Sequence, residues 1–250
     1  MRITLLTSLI LGSALFALPV AAQVDIGVAA SITNKVDGSV GPQTKPVVLG
    51  DRVFENEVIR TGTNSKGQLL FRDETAVTVG PDSEITLDKF VYNAAGNSIS
   101  LSATKGVFRF ISGSAPKNAY EIKTPSATVG VRGTIVYIGL LPDGTGLYYV
   151  GEGGIELKTA FGVFSASEGE IIVIRPGAAP EVGKLKPWQK ALFAAVFDPD
   201  KKSADLPSVP GMPDKGNDLK NLLRSQGQII DCYNSFQSEY GCGYGFRRRN

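Results

Sequence analysis

The sequence predicts an all-β domain, a β-roll or short solenoid or sandwich of many short strands, followed by a small helical C-terminal tail. Three observations carry that expectation. Runs of roughly four to nine residues, rich in Val, Ile, Phe, Tyr and Thr, recur from Val24 to about Pro176. Turn-forming residues separate them: Gly80-Pro81-Asp82, Gly96-Asn97, Ser112-Gly113-Ser114, Pro142-Asp143-Gly144, Gly151-Glu152-Gly153-Gly154 and Glu168-Gly169. After Pro176 the composition shifts to Gly, Ala and Pro, and helical spacing replaces alternation.

Residues 1–22 read as a secretory signal peptide cut near Ala22. Arg2 supplies the basic start, Ile3 to Leu18 the apolar run, and Val20-Ala21-Ala22 the small-residue cleavage site. The alternative is an uncleaved anchor. The run is shorter than the roughly 20 residues a spanning helix needs, and Pro19 interrupts it. No later segment reads as a membrane span. The mature chain, from about Gln23, is therefore expected to be periplasmic or secreted, without stable membrane insertion.

Residues 23–176 form the expected β domain. The runs are "QLLF", "AVTV", "EITLDKFVY", "SISLSA", "GVFRFI", "YEIKT", "TIVYIGLL", "GLYYV", "GIELK" and "EIIVI". Several alternate: Ile85 and Leu87 share one face, Thr86 and Asp88 the other, and Phe108 and Phe110 oppose Arg109. Ile171 to Ile174 is apolar on both faces and reads as a central or terminal core strand. A loose echo links "LGDRVFENEVIRTG" with "SASEGEIIVIRPG". Each sets a Gly-acid pair before a β-branched run that closes on Arg near Gly, which suggests similar stacked turns.

Residues 177–250 read as a Pro/Gly-rich linker and short helical tail. Pro187 can open a helix, with Trp188, Leu192, Ala195 and Val196 at helical spacing. A second helical run spans Asp218 to about Cys232. Cys232 and Cys242 are the only cysteines, and in an exported chain an even pair favours a disulfide. Two free thiols or an intermolecular bridge are the alternatives. The basic end, Arg247 to Asn250, reads as a disordered terminus or a weak contact to anionic lipid.

Composition excludes several function classes. The 250 residues carry a net charge of +2, or +1 once Arg2 is removed, which gives no footprint for nucleic acid. Histidine is absent, which removes His-dependent triads, His-based zinc sites and the commonest general base. Ser102 to Lys105 spells Ser-x-x-Lys, but that chemistry needs a helix start, and here the tetrad falls between two strand-like runs. The pairs Glu55/Glu57 and Asp73/Glu74 read as solvated polar positions rather than opposed glycosidase carboxylates. No phosphate-binding Gly loop is spelled. A hydrolase, a cofactor and a metal site are not expected.

The stretch Glu121 to Ile138, "EIKTPSATVGVRGTIVYI", is the most informative. Pro125 pushes Thr124 to extended geometry. Ala127, Val129 and Val131 form an apolar face, and Thr128, Gly130 and Arg132 the other. Gly133 permits a bend before Thr134 restarts the strand. Arg132 either ties down neighbouring carbonyls or a carboxylate, or binds a ligand.

At this stretch the sequence resembles the FecR-like domain family of bacterial envelope proteins. The matching pieces are Gly50-Asp51-Arg52-Val53, then Leu69-Leu70-Phe71-Arg72-Asp73, then Thr124-Pro125-Ser126-Ala127 and Val131-Arg132-Gly133-Thr134, and finally Gly169-Glu170-Ile171. The resemblance covers about Ile26 to Arg175. It implies an extracytoplasmic all-β sensory or interaction domain. Well-known members relay an outer-membrane signal through a membrane helix to a cytoplasmic sigma factor. This chain departs from them: a signal peptide stands where they carry an anti-sigma segment, and no internal membrane helix is read.

The resulting expectation is a binding and signalling module that contacts an envelope or membrane protein, by strand or loop docking along a sheet edge. The alternative is an adhesin-like scaffold binding surface polysaccharide, with Tyr148 or Tyr149 stacking on sugars.

Overall fold

The computed structural model describes residues 23–93, 96–185, 193 and 197. The signal segment, the second helical run, Cys232, Cys242 and the basic end lie outside the described residues.

The first half of the chain forms β1 (Asp25–Thr33), β2 (Val36–Val40), β3 (Gln43–Pro46), β4 (Arg52–Phe54), β5 (Val58–Thr61), β6 (Lys66–Phe71), β7 (Ala76–Val79) and β8 (Glu84–Asn93). Next come β9 (Gly96–Ile111), a 3-10 turn at Lys117–Ala119, β10 (Tyr120–Lys123), β11 (Thr128–Val131), β12 (Ile135–Leu140) and β13 (Gly146–Glu152). The last strands are β14 (Gly154–Thr159), β15 (Gly162–Ser167), β16 (Glu170–Ile174) and β17 (Glu181–Lys184). The architecture is all-β, as the sequence predicts.

The strands form two rows. One runs β4-β1-β6-β7-β9-β12-β13-β16-β17. The other runs β3-β2-β5-β8-β9-β10-β11-β14-β15. From β10 onward the chain lays down antiparallel hairpins alternately in the two rows. The β9–β10 pairing is parallel. One core lies between the rows: Ile26, Leu69, Phe110, Ile138 and Ile172 from the first meet Ile59, Ile85, Leu101, Val129 and Leu157 from the second. Alternation produces this, because in each strand every second residue points inward.

β9 belongs to both rows and joins them. Its first part pairs with β8 and β10, and from Gly106 onward it pairs with β7 and β12. The two runs "SISLSA" and "GVFRFI" are thus one strand. Gly106 does not end it but turns it from one layer to the other at φ +100°. A Cβ at Gly106 would lie 2.0 Å from Ser83 Oγ. That hydroxyl accepts the Val107 N–H at 2.9 Å and donates to the Pro81 carbonyl at 2.8 Å, so the turn before β8 is notched into the bend. The Ser-x-x-Lys tetrad lies inside β9, where the Ser102 hydroxyl donates to Asp88 at 2.6 Å.

The ladder extends beyond residue 176, because β17 pairs with β16 where a linker was expected. Phe193 and Phe197, helical and one turn apart, pack on the outer face of the first row. They rest on Tyr137, Tyr149 and Ile171, and Arg109 donates to the Phe197 carbonyl at 3.4 Å. This explains why Ile171–Ile174 is apolar on both faces: Ile172 and Ile174 face the main core, and Ile171 the outer cluster.

Candidate partner-binding surface

Thr124-Pro125-Ser126-Ala127 is the turn between β10 and β11. The Thr124 N–H donates to the Ala127 carbonyl at 2.8 Å, and the Ala127 N–H returns to Thr124 Oγ1 at 3.1 Å. Pro125 fits the corner because its φ is fixed and it has no N–H to satisfy. Beneath the turn sits the Tyr148 hydroxyl of β13, 2.6 Å from Thr124 Oγ1 and 2.8 Å from Ser126 Oγ. One phenol therefore ties a turn of the second row to the centre of the first. Burial pushes the Tyr148 pKa up.

Arg132-Gly133-Thr134 carries the chain from β11 to β12. Gly133 takes φ +66°. Thr134 is buried, its N–H donates to Ser112 Oγ at 2.9 Å, and its hydroxyl donates to the Glu152 carbonyl. It thereby staples the ends of β9 and β13. Arg132 is exposed, and its Nη2 donates to Glu156 Oε2 at 2.5 Å. Its partner is a carboxylate of this chain, on the neighbouring strand β14.

The outer face of this row forms a continuous surface. Register places Glu121 beside Gly130, Gly130 beside Glu156, and Glu156 beside Ser165. A second line runs Thr128–Lys158–Val163. Because Gly130 has no side chain, the floor is bare there, and a groove of about 290 Å³ opens over it, rimmed by Lys117, Glu121, Arg132, Glu156 and Lys158. The rim mixes both signs of charge, which suits a polar protein surface better than a highly charged polymer.

Beyond the groove lies β15, which among the described residues has a ladder partner, β14, on one side only. The other row ends are protected. β3 carries Lys45 and Pro46, β17 carries Glu181 and Lys184, and β4 has three residues. β15 reads Gly-Val-Phe-Ser-Ala-Ser, with neither charge nor proline. Phe161, in the preceding turn, is 53% exposed and Val163 60% exposed. An uncharged edge that carries exposed apolar side chains is a template for strand addition. Sequence reading missed this strand. Its signal was the absence of charge over six residues, since its alternation is weak.

The remaining motif residues shape turns. Asp51 Oδ2 accepts the Val48 N–H, Glu57 Oε2 the Phe54 N–H and Glu170 Oε2 the Ser167 N–H, each at 2.9 Å. The residue before each acid has positive φ: Gly50 at +85°, Asn56 at +62° and Gly169 at +78°. The sequence echo is this shared turn, and the Asn56-Glu57 instance was hidden because Asn stands in for Gly. The Ser167 N–H, with Lys184 adding to it, holds the Glu170 carboxyl below the usual range.

Two carboxylates differ from expectation. Asp73 is fully buried, not solvated: it accepts from the Thr75 N–H at 3.1 Å, the Thr75 hydroxyl at 2.7 Å and the Tyr120 hydroxyl at 2.8 Å. Glu57 is likewise buried, where the turn after β4 leads into β5. Short polar side chains in turns bond the backbone, and the turn folds them inward. The sugar-stacking platform also fails: Tyr148 is fully buried, and Tyr149 is 8% exposed beneath Phe193.

Residues 57–156 match the family described as FecR protein. No curated protein matches the chain. Among solved structures, two crystal structures of a candidate anti-sigma factor from Parabacteroides distasonis ATCC 8503, at 1.65 Å and 2.50 Å resolution, are similar. Identities are 14% and 15%, the TM-score is 0.45 for each, and the alignments cover 54% of this chain. The chain spans only 63% and 62% of those chains' own length. From buried Glu57 to the Glu156 that holds Arg132, this chain carries a FecR-family domain.

Proposed function

We propose that the chain is an extracytoplasmic FecR-type binding and signalling module that contacts an envelope or membrane protein and catalyses nothing itself. The observation that carries this reading is the unprotected edge of β15 beside the Arg132 groove. The family match supports a regulatory role, and the signal-like residues 1–22 support export. The partner adds a strand to β15, with Phe161 and Val163 entering its surface and the groove rim reading polar groups alongside. Backbone pairing gives affinity, and the side chains on the outer face give selectivity.

The test is a pull-down from envelope extract with the mature chain, in parallel with Val163→Lys. The lysine puts a charge on an exposed edge position and leaves the core untouched. A membrane protein recovered by the wild type and lost with the folded variant supports the reading. Equal recovery by both places the contact elsewhere, and no specific recovery by the folded wild type contradicts the reading.

A further inference from the structure

Glu57 holds a carboxylate oxygen without a partner. The residue is 0% exposed, and while Oε2 accepts the Phe54 N–H at 2.9 Å, Oε1 has no hydrogen-bond partner among the described residues. Oε1 sits over Gly38 of β2, where a Cβ would lie 2.1 Å away, so the glycine makes the room. A cavity of about 360 Å³ adjoins it, lined by Gly38, Lys45, Phe54 and Glu57, and by Gln23. Leaving a buried acceptor unpaired is costly, and more so for an ionised one. Burial pushes the Glu57 carboxyl up. The Phe54 N–H and the Lys45 charge oppose that, and Asp51 adds to it. Lys45 stands on the cavity wall, its Nζ 5.7 Å from the centre of the Phe54 ring, and gives Oε1 no hydrogen bond.

The strand ladder brings Gln23 to this place. Asp25 pairs with Phe54, and the Glu55 N–H donates to the Val24 carbonyl at 2.9 Å. Gln23, the residue before Val24, lines the same cavity as Glu57. If the signal segment ends at Ala22, Gln23 is the first residue of the exported chain. Its nitrogen then changes from an uncharged amide to an amine whose ordinary pKa is about 7.7–8.0.

We propose that the α-ammonium group of Gln23, created by removal of residues 1–22, enters this cavity and donates to Glu57 Oε1, so that N-terminal processing completes a buried ion pair. The proposal rests on reading residues 1–22 as a cleaved signal. It has a chemical corollary. An N-terminal glutamine cyclises when its neutral amine attacks its own side-chain amide carbon. The new C–N bond forms, the bond to the side-chain nitrogen breaks, and ammonia leaves. A protonated amine has no lone pair for the attack, so pairing with Glu57 protects Gln23.

The experiment uses the mature chain beginning at Gln23, released by a site-specific protease. The amine pKa is read from the pH dependence of its acylation rate, and ammonia loss from the intact mass over time. The expected amine pKa lies at least about one unit above the ordinary value, a tenfold shift. Glu57→Gln returns it to ordinary and speeds ammonia loss several-fold. Should that variant not fold, the Glu57 titration in the wild type is compared with that of an N-terminally acetylated chain, where the proposal expects a higher Glu57 pKa. An ordinary amine pKa in the wild type, or a Glu57 titration indifferent to acetylation, overturns the pairing. The mass of the natively exported chain is a separate readout: a start other than Gln23 overturns the cleavage reading and removes the occupant, whatever the pairing measurement gives.

Discussion

The hydroxyl of Tyr148 lies 2.6 Å from Oγ1 of Thr124, so the Thr-Pro turn of one strand row hangs on a phenol rooted in the other. Tyr148→Phe keeps the ring and removes the tie to Thr124 and Ser126. The expected loss is about 1–2 kcal/mol of unfolding free energy. Urea unfolding measures it, and an unchanged midpoint would mean the turn holds without the phenol.

Tyr120 gives a pH prediction. Burial, with Asp73 adding to it, pushes its pKa up to about 12. The unfolded phenol titrates near 10. Above that pH the unfolded chain releases a proton that the folded chain retains, so stability is full below pH ~10 and falls as pH rises toward ~12. Tyr120→Phe removes this alkaline step and lowers stability at neutral pH, because Asp73 loses a donor. Thermal melting across that pH window checks both parts.

Glycines at positive φ separate strain from crowding. Gly41 at φ +58° has open space where a Cβ would go, whereas at Gly106 a Cβ would collide with Ser83. Gly41→Ala is expected to cost about 1 kcal/mol, from the backbone alone. Gly106→Ala is expected to cost about 3 kcal/mol or more, because the link between the rows must shift. Equal costs in chemical denaturation would remove Gly106 from its role as the crossover.

Arg132 and Thr134 stand two residues apart and should behave differently. Arg132→Ala breaks an exposed ion pair, which is worth less than about 1 kcal/mol. Thr134→Val removes a part-buried hydrogen bond from a buried residue to the Glu152 carbonyl, expected to cost about 1–1.5 kcal/mol. Calorimetry of the two variants ranks them. A larger loss for Arg132→Ala would make the ion pair, not the threonine, the structural part of the motif.

The parts of this fold legible in the sequence were those where alternation meets a buried core. Ile85 and Leu87, Phe108 and Phe110, and Val129 and Val131 all point inward, as the two-residue period requires. The edges were harder to read. β3 is Gln-Thr-Lys-Pro and exists because β2 offers it a ladder, not because its residues favour strands. β15 and β17 were missed for the same reason, since half-exposed edges have weak patterning. The break read at Gly106 was a bend, because a glycine at positive φ can redirect a strand as well as end one. Burial of Asp73 and Glu57 was invisible, because it depends on which way a turn folds. The surface proposed to bind a partner was half legible: Arg132 stood out, whereas the uncharged edge beside it did not.

Hydrogen exchange on the mature chain with and without its recovered envelope partner tests the central claim most directly. The account predicts that backbone amides of β15, from Gly162 to Ser167, gain strong protection on binding, because a partner strand pairs along that edge, and that Val163→Lys abolishes the gain. A bound complex whose β15 amides exchange as fast as in the free chain would contradict it.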